Sequence, residues 1–141
     1  MEPRSAAKGL ITTLEGDKFL FVAGQSGRPN LPGGGLKPGE TNLQALLREM
    51  AEEIAPGPEQ ILAGTPQEAF PLEGDTTSAS GIAGHALWTV FRGRLVVPLA
   101  ELYIPDQSET TEILSFTREE CRVHPAMSEL AKRAVRLGIS S

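Results

Sequence analysis

The sequence predicts an α/β or α+β domain, and three observations carry that reading. Short β-branched and apolar runs of strand length recur along the chain. Between them stand two segments whose apolar residues are spaced three and four apart, the mark of helices with one buried face. The chain has 141 residues, 40% of them hydrophobic and 22% charged, enough to close a packed core. With no internal repeat and no composition shift, residues 1–141 read as a single domain.

The elements follow in order. Gly9 to Thr13 and Phe19 to Ala23 read as strands, joined through Glu15-Gly16-Asp17-Lys18, where the Gly-Asp pair signals a two-residue hairpin. Gln25 to Gly39 is so dense in Gly and Pro that it reads as irregular. Thr41 to Ile54 carries Leu43, Leu46, Leu47, Met50 and Ile54 on one helical face, and Pro56-Gly57 stops it. Ile61 to Phe70 and Ile82 to Val97 read as extended, with Pro71 to Gly81 an exposed loop between them. Glu112 to Phe116 is a short late strand. Pro125 to Leu137 is a closing helix, with Gly138 just past its end.

Composition removes several classes. Thirteen Lys and Arg against eighteen Asp and Glu leave a net charge of −5, which argues against a nucleic-acid binder. A lone Cys121 excludes a disulfide framework and a cysteine-rich zinc site. No apolar run at the amino terminus resembles a signal peptide, and the uncharged stretch Thr76 to Phe91 is too short and polar to span a bilayer. A soluble, cytoplasmic, monomeric or homodimeric protein with a small-molecule partner is expected. His85 and His124 have no partner at ligand spacing, and Trp88 and Phe91 read as core.

The chemistry concentrates in Gly33 to Ala55. Glu49, Glu52 and Glu53 fall within roughly one 100° sector of the helix, away from the Leu/Met face. Three adjacent carboxylates repel, and a hard divalent cation such as Mg²⁺, which favours oxygen ligands and shares phosphate oxygens, relieves the repulsion. The glycine loop before the helix leaves bare backbone close to that face. It is no nucleotide P-loop, since Lys37 is followed by Pro38 rather than Ser or Thr. An acidic helix face is ordinarily a solvated one, and Glu40 could simply favour the helix dipole. Arg28 and Lys37 flank the loop as candidates to meet phosphates.

The segment from Gly34 to Pro56 resembles the signature of the Nudix hydrolase family, in its small MutT-type form. Gly34, Glu40, Arg48, Glu49, Met50, Glu52 and Glu53 take the family's places in order. From this composition, six such Gly and charged positions coincide by chance on the order of once in ten thousand chains. The family's closing Gly and aliphatic residue are Ala55 and Pro56 here. A left-handed Ala would cost about 1 kcal/mol, so the helix exit is expected one or two residues later, at Pro56-Gly57.

The resemblance implies a Nudix-type α/β/α sandwich with a mixed sheet. It further implies hydrolysis of the pyrophosphate bond in a nucleoside diphosphate linked to another moiety, a triphosphate, ADP-ribose or similar, with Mg²⁺ or Mn²⁺ and activated water. Glu49, Glu52 and Glu53, with the Gly33 carbonyl, would hold the metal, and Glu40 and Arg48 would orient them. Glu52, Glu53 and Glu109 are the candidate catalytic residues, with Glu112 the second choice for the loop carboxylate. Pro71, sixteen residues beyond Ala55, resembles the ADP-ribose-cleaving subgroup, a spacing that eleven prolines also produce by chance. The alternative is a catalytically inactive nucleotide-binding or regulatory module, against which the intact carboxylate set argues.

Overall fold

The computed structural model describes residues 3–77 and 83–139. Its strands are β1 (Arg4–Thr12), β2 (Phe19–Ala23), β3 (Gly33–Gly35), β4 (Gln67–Thr77), β5 (Ala83–Arg94) and β6 (Glu112–Phe116). They form one sheet in the order β4-β5-β1-β2-β6, with β3 paired to β1. β1 runs parallel to β5 from Arg4↔Ala86 to Thr12↔Arg94, and the remaining pairs are antiparallel. The sheet is therefore mixed, as expected.

Alternation along the central strands sends side chains to two separate cores. On one face Ala7, Ile11, Leu20, Val22 and Phe91 meet Leu46, Met50 and Ile54 from α1 (Asn42–Glu53) and the residue after it. On the other, Leu10, Phe21, Trp88 and Val90 meet Cys121 of α3 (Arg118–Val123) and Leu130, Ala131, Ala134 and Val135 of α4 (Glu129–Ile139). Helices thus cover both faces of the sheet, and Trp88 and Phe91 are core residues. A short α2 (Pro58–Ile61) follows α1. No helix among the described residues is long and apolar enough to cross a membrane.

Several boundaries differ from those expected, each for a physical reason. β1 begins at Arg4 rather than Gly9, because parallel pairing with β5 supplies what its polar first half lacks in apolar character. The β1–β2 link is wider than a two-residue turn: Thr13 N–H donates to the Lys18 carbonyl at 2.9 Å, enclosing Leu14 to Asp17. β3 lies inside the segment read as irregular. β4 runs through Pro71 to Thr77, where a loop was expected, as an edge strand whose free side tolerates Pro; residues 78–81 of that segment lie outside the described residues. Of the run Ile61 to Phe70 expected to be extended, Ile61 closes the short helix Pro58–Ile61 and the strand starts only at Gln67. Gly138 sits within α4 rather than beyond it, since a Cβ there would run into the Leu10 side chain.

α1 starts where its sequence says. Thr41 Oγ1 accepts from Gln44 N–H at 3.1 Å while Gln44 Oε1 accepts from Thr41 N–H at 2.9 Å, a reciprocal cap worth about 1 kcal/mol. Its exit corrects the expectation. The helix leaves through Ile54 in extended conformation (φ −139°, ψ 133°), and Ala55 exchanges both backbone hydrogen bonds with Tyr103 at 2.8 Å. No left-handed residue is needed, so Ala55 carries no penalty.

Candidate active site

Arg48 organises the helix face. Its Nε donates to Glu40 Oε2 at 2.7 Å and an Nη to Glu40 Oε1 at 2.9 Å, a bidentate pair across eight residues. The other Nη reaches Glu49 Oε1 at 3.0 Å and Glu52 Oε1 at 3.5 Å. Arg48 also donates to the Gly35 carbonyl at 2.9 Å, fastening the glycine strand to the helix. Lys37 N–H adds a bond to Glu40 Oε1 at 2.7 Å. These donors hold the Glu40 carboxyl at about 2, the Arg48 bonds first among them. Glu40 is therefore an anchor for Arg48, not a helix-dipole charge.

Glu53 lies deeper. Its Oε1 accepts from Gly33 N–H at 2.9 Å. Burial, reinforced by the charges of Glu49 and Glu52, pushes its carboxyl up to about 7 against the opposing pull of Lys8 and Gly33 N–H. Lys8 was not singled out from the sequence, where it stands just before the strand expected from Gly9. In the structure it is only 7% exposed and points its Nζ at the carbonyls of Leu31 (3.3 Å) and Gly33 (3.4 Å). The Trp88 ring lies 5.2 Å from the same ammonium.

The opposite wall comes from the loop before β6. Ser108 Oγ donates to the Glu52 carbonyl at 2.7 Å and accepts from Thr110 N–H at 3.1 Å, tying the loop to the end of α1. Ser108 is a second residue that sequence reasoning missed; a lone loop serine carries no signal. This bond brings Glu109 to a cleft of about 450 Å³ that Glu49, Glu52 and Glu53 also line. Glu112, at the start of β6, lies on the lining of neither this cleft nor its neighbour.

Ser108, Glu109 and Thr110 are shared with a broader open cleft of about 1770 Å³, walled by Arg28, Asn30, His85 and Arg133 among others. Arg28 thus lines this broader cleft. The exposed Lys37 lines neither cleft and contributes its backbone instead. His85 has partners after all: its Nδ1 stands 3.2 Å from Asp75 and its Nε2 3.3 Å from Glu73, which raises its pKa. Cys121 is buried, its thiol pushed up to about 11 by desolvation, and is no nucleophile.

The family model of the NUDIX domain matches residues 3–135. The chain belongs to the NUDIX family. As a Nudix domain it is a hydrolase of the mixed-sheet fold described above. Comparison with curated proteins returned no match. Among solved structures, the MutT protein of Methanosarcina mazei Go1 is similar at TM-score 0.75 and 18% identity, over 99% of this chain and 95% of that one. The E. coli dihydroneopterin triphosphate pyrophosphohydrolase is similar at 0.74 and 16%, over 100% of both. The NUDIX domain of Shewanella oneidensis NrtR, complexed with ADP ribose, is similar at 0.72 and 14%, over 99% and 88%. At these identities the likeness is one of fold.

Whether the Nudix face suits a divalent cation follows from its donors. All are oxygens, the preference of Mg²⁺ and Mn²⁺. Among the described residues no three carboxylate, imidazole or thiol groups converge on one point. Glu49 and Glu52 lean to Arg48 and Glu53 to Gly33, each contact using Oε1 and leaving a second oxygen on the same carboxylate. A crowded, partly buried set of like charges with spare oxygens fits such an ion.

Proposed function

We propose that this Nudix domain hydrolyses the pyrophosphate bond of a nucleoside diphosphate linked to another moiety, using Mg²⁺ or Mn²⁺. The observation that carries the reading is the meeting of Glu49, Glu52 and Glu53 with Glu109 on one small cleft that opens to a broader one. Glu49, Glu52, Glu53 and the Gly33 carbonyl would hold the cation. When bound, the cation neutralises phosphate charge and acidifies water. Arg48 and Glu40 keep the carboxylates aimed at the cleft. Glu52 and Glu109 stand on opposite walls, where a carboxylate oxygen of either can accept the proton that an attacking water gives up. Arg28, on the broader cleft, meets the substrate phosphates.

A panel of nucleotides assayed with Mg²⁺, reading phosphate, pyrophosphate and nucleoside monophosphate separately, tests this. Release of a monophosphate or pyrophosphate from at least one member, abolished by a chelator, is expected. No turnover on triphosphates, ADP-ribose, dinucleoside polyphosphates or nucleotide sugars would defeat the reading. Binding of Mg²⁺ to the folded face and not to the unfolded chain also raises the melting temperature, by an amount that grows with metal concentration. A thermal scan flat across millimolar Mg²⁺ counts against the site.

A further inference from the structure

Lys8 is a charged side chain placed where a cation site would not ordinarily carry one. It sits on β1 opposite Gly33 of β3, among the least accessible charged groups of the molecule. Its Nζ bonds the Gly33 carbonyl, while the N–H of the same glycine bonds Glu53. One residue is thus gripped on both sides, its carbonyl by Lys8 and its N–H by the Glu53 carboxylate. Burial pulls the pKa of Lys8 down, and the nearby carboxylates of Glu53 and Glu49 work against that by favouring its ammonium form. The Leu31 carbonyl and the Trp88 face hold it on the inner side, away from solvent.

We infer that Lys8 is a built-in counter-ion of the acidic face, which offsets Glu53 and shares the Gly33 carbonyl, and so weakens the hold of the bare chain on a divalent cation. The inference rests on the cation site proposed above and concerns its regulation. The physics fixes the sign. A resident positive charge repels a divalent ion through two charges but a competing proton through only one. Loss of Lys8 therefore favours the cation whichever form Glu53 starts in. The cation then enters best in company with the polyphosphate, whose negative charge cancels the repulsion.

The test is Mn²⁺ binding to the chelator-treated chain without nucleotide, counted by the electron-paramagnetic signal of free Mn²⁺. Lys8→Met and Lys8→Gln remove the charge, the second keeping a donor for the two carbonyls. Either neutral variant, with a wild-type circular-dichroism spectrum, is expected to bind Mn²⁺ at least tenfold more tightly. A lysine with a merely structural role would leave affinity unchanged or loosen it, and that result from both variants overturns the inference. Glu53→Gln, run alongside, separates the two readings. If it weakens Mn²⁺ binding while the Lys8 variants do nothing, the counter-ion fails and the cation site stands; if no variant moves any binding, both fall.

Discussion

Glu53→Gln is expected to lose hydrolysis by orders of magnitude and, in the same stroke, to stabilise the metal-free protein. The first effect follows if Glu53 supplies an oxygen to the cation proposed for the cleft. The second follows from burial. In the folded chain the Glu53 carboxyl stays protonated up to about pH 7, whereas in the unfolded chain it ionises near its ordinary value of 4.5. Below that ordinary value the two states bind the proton alike and folding is not penalised. As pH rises toward 7 the unfolded chain gives up its proton first, so stability falls, by about 3 kcal/mol once the window is crossed. Glutamine keeps an oxygen for Gly33 N–H and carries no proton to lose. Urea unfolding with a chelator present should therefore show variant and parent close together at pH 5. At pH 8 the variant should lead by up to about 3 kcal/mol. Saturating Mg²⁺ should narrow the gap, because only the parent gains from it. A variant less stable than its parent at pH 8 would show that Glu53 is no buried charge, and one that still turns over substrate would remove it from the reaction.

That trade of stability for an acidic face explains what the sequence could and could not reveal. Charge at short spacing is a local pattern, so Glu40, Arg48, Glu49, Glu52 and Glu53 were legible; the structure joins Glu40, Glu49 and Glu52 through Arg48 and ties Glu53 to Gly33. β6 was legible to the residue because its apolar run ends in the cap of the next helix. That helix, α3, went unread although Thr117 and Glu120 form a reciprocal cap that the Thr-x-x-Glu spacing announces. β3 could not be read. Glycine has no strand preference of its own, and Gly33 to Gly35 are extended only because Ala6 to Lys8 offer them partners. Lys8 stayed hidden for the same reason: nothing in an Arg-Ser-Ala-Ala-Lys run says which neighbour the topology will lay against it. That Glu109 and not Glu112 lines the cleft likewise depends on a distant bond, Ser108 to the Glu52 carbonyl.

The three consecutive glycines of β3 give the sharpest structural test, because alanine should fail at each for a different reason or not at all. Gly33 has φ +124°, a region that side chains avoid, and a Cβ there would run into the Ala7 carbonyl oxygen and lie 2.9 Å from Lys8 Cα. Both obstacles are backbone and cannot move aside. Gly33→Ala should therefore cost about 3 kcal/mol or more, read as a drop in the denaturation midpoint, and should release Glu53 from its N–H. At Gly34 the neighbour is a side chain: a Cβ would stand 2.5 Å from the Glu49 carboxyl carbon. The carboxylate can swing away, so Gly34→Ala should keep most of its stability and lose metal affinity and turnover instead. At Gly35 the nearest atom is the Ser5 carbonyl oxygen at 3.8 Å, an ordinary contact, with Ser5 on the neighbouring strand. Gly35→Ala should change stability by less than about 1 kcal/mol and leave turnover alone. The ordering matters more than any single value. If Gly35→Ala unfolds the chain while Gly33→Ala does not, β3 does not pair with β1 in this register, and the residue that links Lys8 to Glu53 is not the one described.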